Sequence, residues 1–152
     1  MIYLSIPPRI KVLEAVSAIA HARVKRTNGA FKVRASVGNR EYTVILNDTW
    51  AYSDDNGTLH RGYVGYPIIA AMIMEGTVPS FPELGEALKD IRWAELNARM
   101  ASYKKVESYA KKVARKAGIG DEIVDKYILD VIAVLKVKKL KFKDIRQSTL
   151  NP

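Results

Sequence analysis

The sequence predicts an α+β fold: a small antiparallel sheet of two hairpins with a packed N-terminal helix, followed by a helical C-terminal half. Three observations carry this prediction. Apolar residues alternate with polar ones over residues 31–46, the period of a half-buried strand, whereas residues 13–24 and most of the chain beyond Gly62 keep the spacing of helices. No internal repeat, low-complexity tract or long Gly/Ser/Pro linker divides the 152 residues, so one compact unit over 1–152 is expected, with a boundary in character near residues 61 and 62.

Met1 to Ile6 is short and apolar, as a strand is, and Pro8 suits the first turn of a helix. In that helix Leu13, Val16, Ala20 and Val24 share one face, and Asn28-Gly29 ends it. Phe31, Val33, Ala35 and Val37 then alternate with Lys32, Arg34 and Ser36, and Tyr42, Val44 and Leu46 alternate after Gly38-Asn39. A two-residue turn there sets Val33 opposite Val44 and Phe31 opposite Leu46, leaving Lys32 and Arg34 on the other face with Thr43. A second hairpin is expected from Thr49–Ser53 and Thr58–Arg61 around Asp54-Asp55-Asn56-Gly57.

Pro67 opens the next helix and Gly76 closes it; the segment between is apolar almost all round and should be buried. Ser80-Phe81-Pro82-Glu83 has the spacing of a capping box. Residues from about 81 to 117 read as one bent helix or two, and a last helix runs from Asp121 to about Lys136.

Composition removes whole classes of function. Without cysteine there is no disulfide framework, thiolate nucleophile, iron–sulfur cluster or Cys-bearing zinc site. The N-terminal MIYLSIPPRI lacks a basic leader region, and the longest apolar run, Ile68 to Met74, falls far short of the roughly 20 residues that span a bilayer. A cytoplasmic chain without a membrane partner is expected. One glutamine and many Lys, Arg and Glu give a thermophile-like bias. No P-loop, GxGxxG or GxSxG motif occurs, and neither His21 nor His60 has a second histidine at a metal-ligand spacing, so no catalytic residue, metal or cofactor is expected.

Charge is the main positive signal. The chain carries +9, distributed as +3 over residues 1–60, −1 over 61–100 and +7 over 101–152. Over about 93–117, Leu96, Met100, Tyr103, Val106, Ala110, Val113 and Ala117 line one helical stripe. Lys104, Lys105, Lys111, Lys112, Arg115 and Lys116 form a ridge on the opposite side, with Tyr109 beside Lys112 and Lys116, placed to stack on a base. Lys136, Lys138, Lys139, Lys141 and Lys143, interleaved with Val137, Leu140 and Phe142, form a second basic cluster. That cluster reads either as a phosphate-binding arm or as an edge strand guarded by lysines. Solubility is the competing reading of the ridge.

The junction Val113-Ala114-Arg115-Lys116-Ala117-Gly118-Ile119, followed by Ile123-Val124 and Tyr127, resembles the helix-turn-helix motif over about residues 108–128. Ala114 lets two helices approach, Gly118 takes the turn and Val124 seals the angle. The second helix nevertheless opens on Asp121 and Glu122 and continues to Asp125, three acids where bases and phosphates would be met. The resemblance therefore implies a helical hairpin whose lysines bind, rather than a helix entering the major groove.

The function expected from these residues is non-enzymatic binding of DNA or RNA through the phosphate backbone, with Lys32 and Arg34 as further contacts. The alternative is an assembly subunit that meets another protein chain, or a second copy of itself, through the apolar stripe. A small-ligand or hydrolytic site around His60, Tyr63 and Tyr66 is the third reading; in Gly62-Tyr63-Val64-Gly65-Tyr66-Pro67, two glycines bring backbone and aromatic faces together before a buried helix.

Overall fold

A computed structural model describes residues 2–146; Met1 and residues 147–152 of the basic tail lie outside the described residues. The elements are β1 (Ile2–Tyr3), α1 (Ile10–Ala20), β2 (Val24–Thr27), β3 (Ala30–Arg34), β4 (Glu41–Leu46), β5 (Trp50–Ser53) and α2 (Asn56–Arg61). They continue with α3 (Tyr66–Glu75), α4 (Pro82–Leu88), α5 (Trp93–Met100), α6 (Tyr103–Lys116), α7 (Asp121–Lys138) and β6 (Lys141–Phe142). The class is α+β, but the sheet is larger than expected and mixed. Its order is β1-β6-β5-β4-β3-β2, antiparallel throughout except between β5 and β6.

The basic C-terminal segment is neither a free arm nor an edge strand, because β6 lies between β1 and β5. Strand periodicity explains its composition: Leu140 is buried and Phe142 packs on the core, while Lys141 and Lys143 lie over the rings of Tyr3 and Trp50.

Several local expectations are corrected by turns. The first helix ends at Ala20 because Ala22 turns left-handed at φ 56°, and the following residues become β2, with Asn28-Gly29 as the β2–β3 turn. The β3–β4 pairing is Phe31 with Val44 and Val33 with Tyr42, two residues from the expected register. A shift of two leaves every side chain on its predicted face, and Lys32 Nζ donates to Thr43 Oγ1 at 2.6 Å as their common face requires. The expected strand Thr58–Arg61 is helix α2, since Asp55 caps it through the backbone N–H of Thr58 and Gly62 ends it at φ 71°. The stretch 81–117 divides into three helices: α4 starts without a capping box, and a left-handed Ala101, φ 52°, separates α5 from the Ser102-capped α6.

Helix α1 is central, packed against α3, α4, α6 and α7 and buried on nearly every side. Helix α3 lies on the sheet over β4 and β5. Gly85 permits the close α1–α4 crossing, where a Cβ would come within 2.6 Å of the Val16 carbonyl oxygen. Ala114 and Val124 are buried where α6 meets α7, and Gly118 turns between them at φ 85°. Of the apolar stripe expected over the α5–α6 region, Leu96, Val106 and Ala110 are buried against neighbouring helices and Met100 and Val113 are half-buried. Tyr103 and Ala117, expected in that stripe, are exposed.

An ion network ties the start of α1 to the α6–α7 hairpin. Arg9 Nε meets Glu107 at 3.0 Å, Lys111 Nζ meets Glu107 at 3.1 Å and Asp125 at 2.7 Å, and Arg9 also contacts Asp125. Burial alone would raise the Glu107 carboxyl, but hydrogen bonds and attraction from Arg9 and Lys111 outweigh it and hold it below its ordinary range. Asp125 is lowered first by the Lys111 hydrogen bond. Depressed folded-state values contribute stability above the unfolded pKa of about 4, which is lost as pH falls through the folded values. Thermal melts between about pH 6 and pH 2 should therefore show Tm falling with acid, and Glu107→Gln, less stable at neutrality, should converge with the parent at the acid end. Parallel curves across that range would remove the network from the account.

Candidate functional site

Helix α1 inserts an acid into an otherwise apolar run, Val12-Leu13-Glu14-Ala15-Val16, and the fold buries it: Glu14 is 4% exposed. A buried carboxylate must be paired and hydrogen-bonded to persist. One turn away Lys11 places Nζ 2.8 Å from Glu14 Oε2, and Asn97 of α5 donates from Nδ2 to Oε1 at 3.0 Å. Burial alone would lower the Lys11 ammonium, but attraction and a hydrogen bond from Glu14 outweigh it and raise it above its ordinary range.

Arg23, also 4% exposed, faces the same space from the α1–β2 turn. The left-handed Ala22 and backbone bonds to Ala18 and Arg34 fix its position. Its Nη1 donates to the Arg34 carbonyl at 2.8 Å and its Nε to His21 Nδ1 at 3.2 Å. Burial pulls the guanidinium down against the partial compensation of Tyr66, and no carboxylate forms an ion pair with it among the described residues.

The segment Gly62–Pro67 closes the third side. Asp55 accepts from Ser53 Oγ, from Thr58 N at 3.1 Å and from Thr58 Oγ1 at 2.8 Å; Thr58 Oγ1 in turn accepts from Gly65 N at 3.1 Å. Gly57 and Gly65 are steric requirements: a Cβ on Gly57 would lie 2.4 Å from the Tyr63 ring and one on Gly65 2.1 Å from Asp55 Oδ2. Tyr63 and Tyr66 thereby reach a common cavity, with Tyr42 packed edge-on to Tyr66. Burial raises all three phenols, which stay neutral hydrogen-bond donors at physiological pH. Trp93 of α5 supplies the remaining wall, its Nε1 donating to Ser17 Oγ at 2.9 Å.

These side chains line a cavity of about 160 Å³ that is partly open to solvent. Arg23, Glu14 and Asn97, from three separate segments, line it, and their Nη2, Oε2 and Oδ1 atoms are buried without a full set of hydrogen bonds, although Oε2 keeps its ion pair to Lys11 and Arg23 interacts with Tyr66. Such groups normally find partners, so an unpaired set gathered in one cavity is an unfilled binding capacity.

Sequence reasoning points at Tyr63 and Tyr66 but misses Lys11, Glu14, Arg23, Tyr42, Trp93 and Asn97. The lone acid in the apolar run of α1 is the available signal. His60 is exposed on α2 and does not line the cavity, and among the described residues no group of His, Asp and Glu is arranged to hold a metal ion.

The basic residues are distributed over different surfaces. On α6, Lys104, Lys105, Lys112 and Lys116 are exposed beside the part-exposed Tyr109, but Lys111 is held by Glu107 and Asp125, and Arg115 Nη1 is held by Asp121 at 2.7 Å. Two of the three acids that open α7, Asp121 and Asp125, are thus paired within the hairpin. Lys32 and Arg34 lie on the sheet, away from the α4, α5, α1 and α7 surroundings of α6. Lys136 is exposed, Lys139 is the left-handed end of α7, and Lys138, Lys141 and Lys143 are half-buried.

A family model described as Uncharacterised conserved protein UCP014422 matches residues 4–142. No curated protein and no solved structure matches. No helix among the described residues is long and apolar enough to cross a membrane.

Proposed function

The chain belongs to that uncharacterised conserved family, and for it we propose that the cavity between α1, α5 and the Gly62–Tyr66 segment is a binding site for a small polar molecule. Arg23 carries the reading. A guanidinium this buried, without a carboxylate partner and with Nη2 unpaired, costs stability that a purely structural residue would not impose. Strain of this kind collects at functional sites. A polar fragment screen followed by amide NMR should give shifts centred on the Trp93 indole and the Asn97 side chain, and Arg23→Met should abolish them. The same variant should be no less stable than the parent, because loss of two hydrogen bonds, about 1–2 kcal/mol, is offset by removal of the unpaired charge. Scattered shifts, or a variant destabilised by more than about 3 kcal/mol, would make Arg23 a structural strut instead.

A second reading is favoured by one observation: Lys104, Lys105, Lys112 and Lys116 share an exposed α6 surface with Tyr109. We propose it as a nucleic-acid contact face, made through backbone phosphates. With four lysines, anisotropy titrations of labelled single-stranded RNA and duplex DNA between about 50 and 200 mM salt should give a log–log slope of roughly −3 to −4. Reversing the four charges should remove binding at low salt. Binding unchanged in that variant would reject this face.

A further inference from the structure

We infer that the molecule held in the cavity is a small zwitterion of the amino-acid class, its carboxylate on Arg23 and its ammonium on Glu14 and Asn97. The inference rests on the ligand-pocket reading and adds the ligand's charge pattern and size.

The unpaired atoms have opposite polarity. Arg23 Nη2 can only donate, so it takes an acceptor; Asn97 Oδ1 can only accept, so it takes a donor, and Glu14 Oε2, ion-paired to Lys11 at 2.8 Å, has lone-pair capacity for one more. One ligand satisfies all three if it carries an anion at one end and an N–H or O–H group at the other. Charge then selects among such ligands. Lys11 and Arg23 balance Glu14 and Asp55 around the cavity. A molecule with no net charge preserves that balance, whereas a phosphate dianion would face two carboxylates with one available cation. Lys11 is not a second anion site, since its ammonium is 2.8 Å from Glu14 Oε2 and stacks over the Tyr103 ring.

An ammonium is the donor that a charged carboxylate rewards most, because hydrogen bonds between ions are about twice as strong as neutral ones. The carboxylate end is equally matched: Arg23 sits beside Tyr66, whose raised phenol pKa keeps its proton available for donation. Size limits the rest of the molecule. A cavity of about 160 Å³ is close to the roughly 150 Å³ that holds a benzene ring, which suits the smaller amino acids, with Trp93 and Tyr42 as walls for a short side chain.

Calorimetric titration of the full chain tests this with the common L-amino acids singly, and with propionate, ethylammonium and inorganic phosphate as partial ligands. At least one amino acid should bind saturably, with propionate and ethylammonium each weaker by about tenfold or more. Arg23→Met should lose both amino acid and propionate. Glu14→Gln should weaken the amino acid by about tenfold and leave propionate unchanged, and Asn97→Ser provides the same comparison should the Glu14 variant fold poorly. Propionate or phosphate binding as tightly as any amino acid would overturn the zwitterion while leaving the pocket as a ligand site. Absence of binding by every probe would also overturn it, and the fragment shifts and Arg23→Met stability then decide separately whether the cavity binds other molecules.

Discussion

Gly65→Ala should cost about 3 kcal/mol and lower Tm by roughly 6–12 °C, although the added methyl is the smallest possible change. The backbone at Gly65, φ −70° and ψ 163°, is open to any residue, so nothing conformational is lost. The cost is steric: the new Cβ would stand 2.1 Å from Asp55 Oδ2 and 2.6 Å from Cγ. Asp55 has no room to give, because it is 5% exposed and fixed by Ser53 and Thr58 as the cap of α2. Gly120→Ala is the matched control. Gly120 caps α7 with φ −75°, and a methyl there would meet nothing within 4 Å, so only the N-cap preference for glycine over alanine, up to about 1 kcal/mol, is lost. Urea denaturation of both variants checks the pair, and equal stabilities would refute the packing argument at Gly65.

Ser17→Ala should be comparably severe, about 1–3 kcal/mol. Ser17 is fully buried in α1, where its hydroxyl donates to the Leu88 carbonyl at 3.0 Å and accepts the Trp93 indole N–H at 2.9 Å. Removal of one oxygen leaves the buried Trp93 indole N–H without a partner, at its full desolvation cost, and takes one of two donors from the Leu88 carbonyl, which keeps Ile91 N at 3.1 Å. Trp93→Phe removes the donor instead. The double variant should be less damaged than the two single losses summed, by at least about 1 kcal/mol, as measured in a denaturation cycle. Strict additivity would show that the two side chains do not depend on each other. Since Trp93 also walls the cavity, ligand affinity should fall in Ser17→Ala before the protein unfolds.

The parts of this fold that are legible in the sequence are those governed by local chemistry. The alternation at Phe31, Val33 and Val44 identifies a sheet face, and Gly76 and Gly118 mark helix ends that both adopt positive φ. Ala114 and Val124 behave as a helical hairpin requires. Illegible features depend on distant partners. The alternation of Leu140 and Phe142 with lysines is visible, but only pairing with Ile2–Tyr3 and Trp50–Ala51 turns that run into an interior strand. The candidate site is hidden for the same reason: Glu14 and Asn97 are far apart in sequence, and Arg23 looks like an ordinary cation at a helix end until Ala22 folds it inward. Lys111 and Arg115 show the reverse case, cations that resemble free ligand contacts and are engaged by Glu107, Asp125 and Asp121.

The position of β6 between β1 and β5 also sets an order of events during synthesis. Ile2–Tyr3 emerges from the ribosome long before its sheet partner, Lys141–Phe142. Until those residues clear the exit tunnel, β1 has no neighbouring strand and the outer edge of β5 stays open. At about 5–20 residues per second, the nascent chain passes several seconds in that unfinished state. The β2–β5 meander and the helices packed on it can form meanwhile, and completion of the sheet waits for the segment that follows α7.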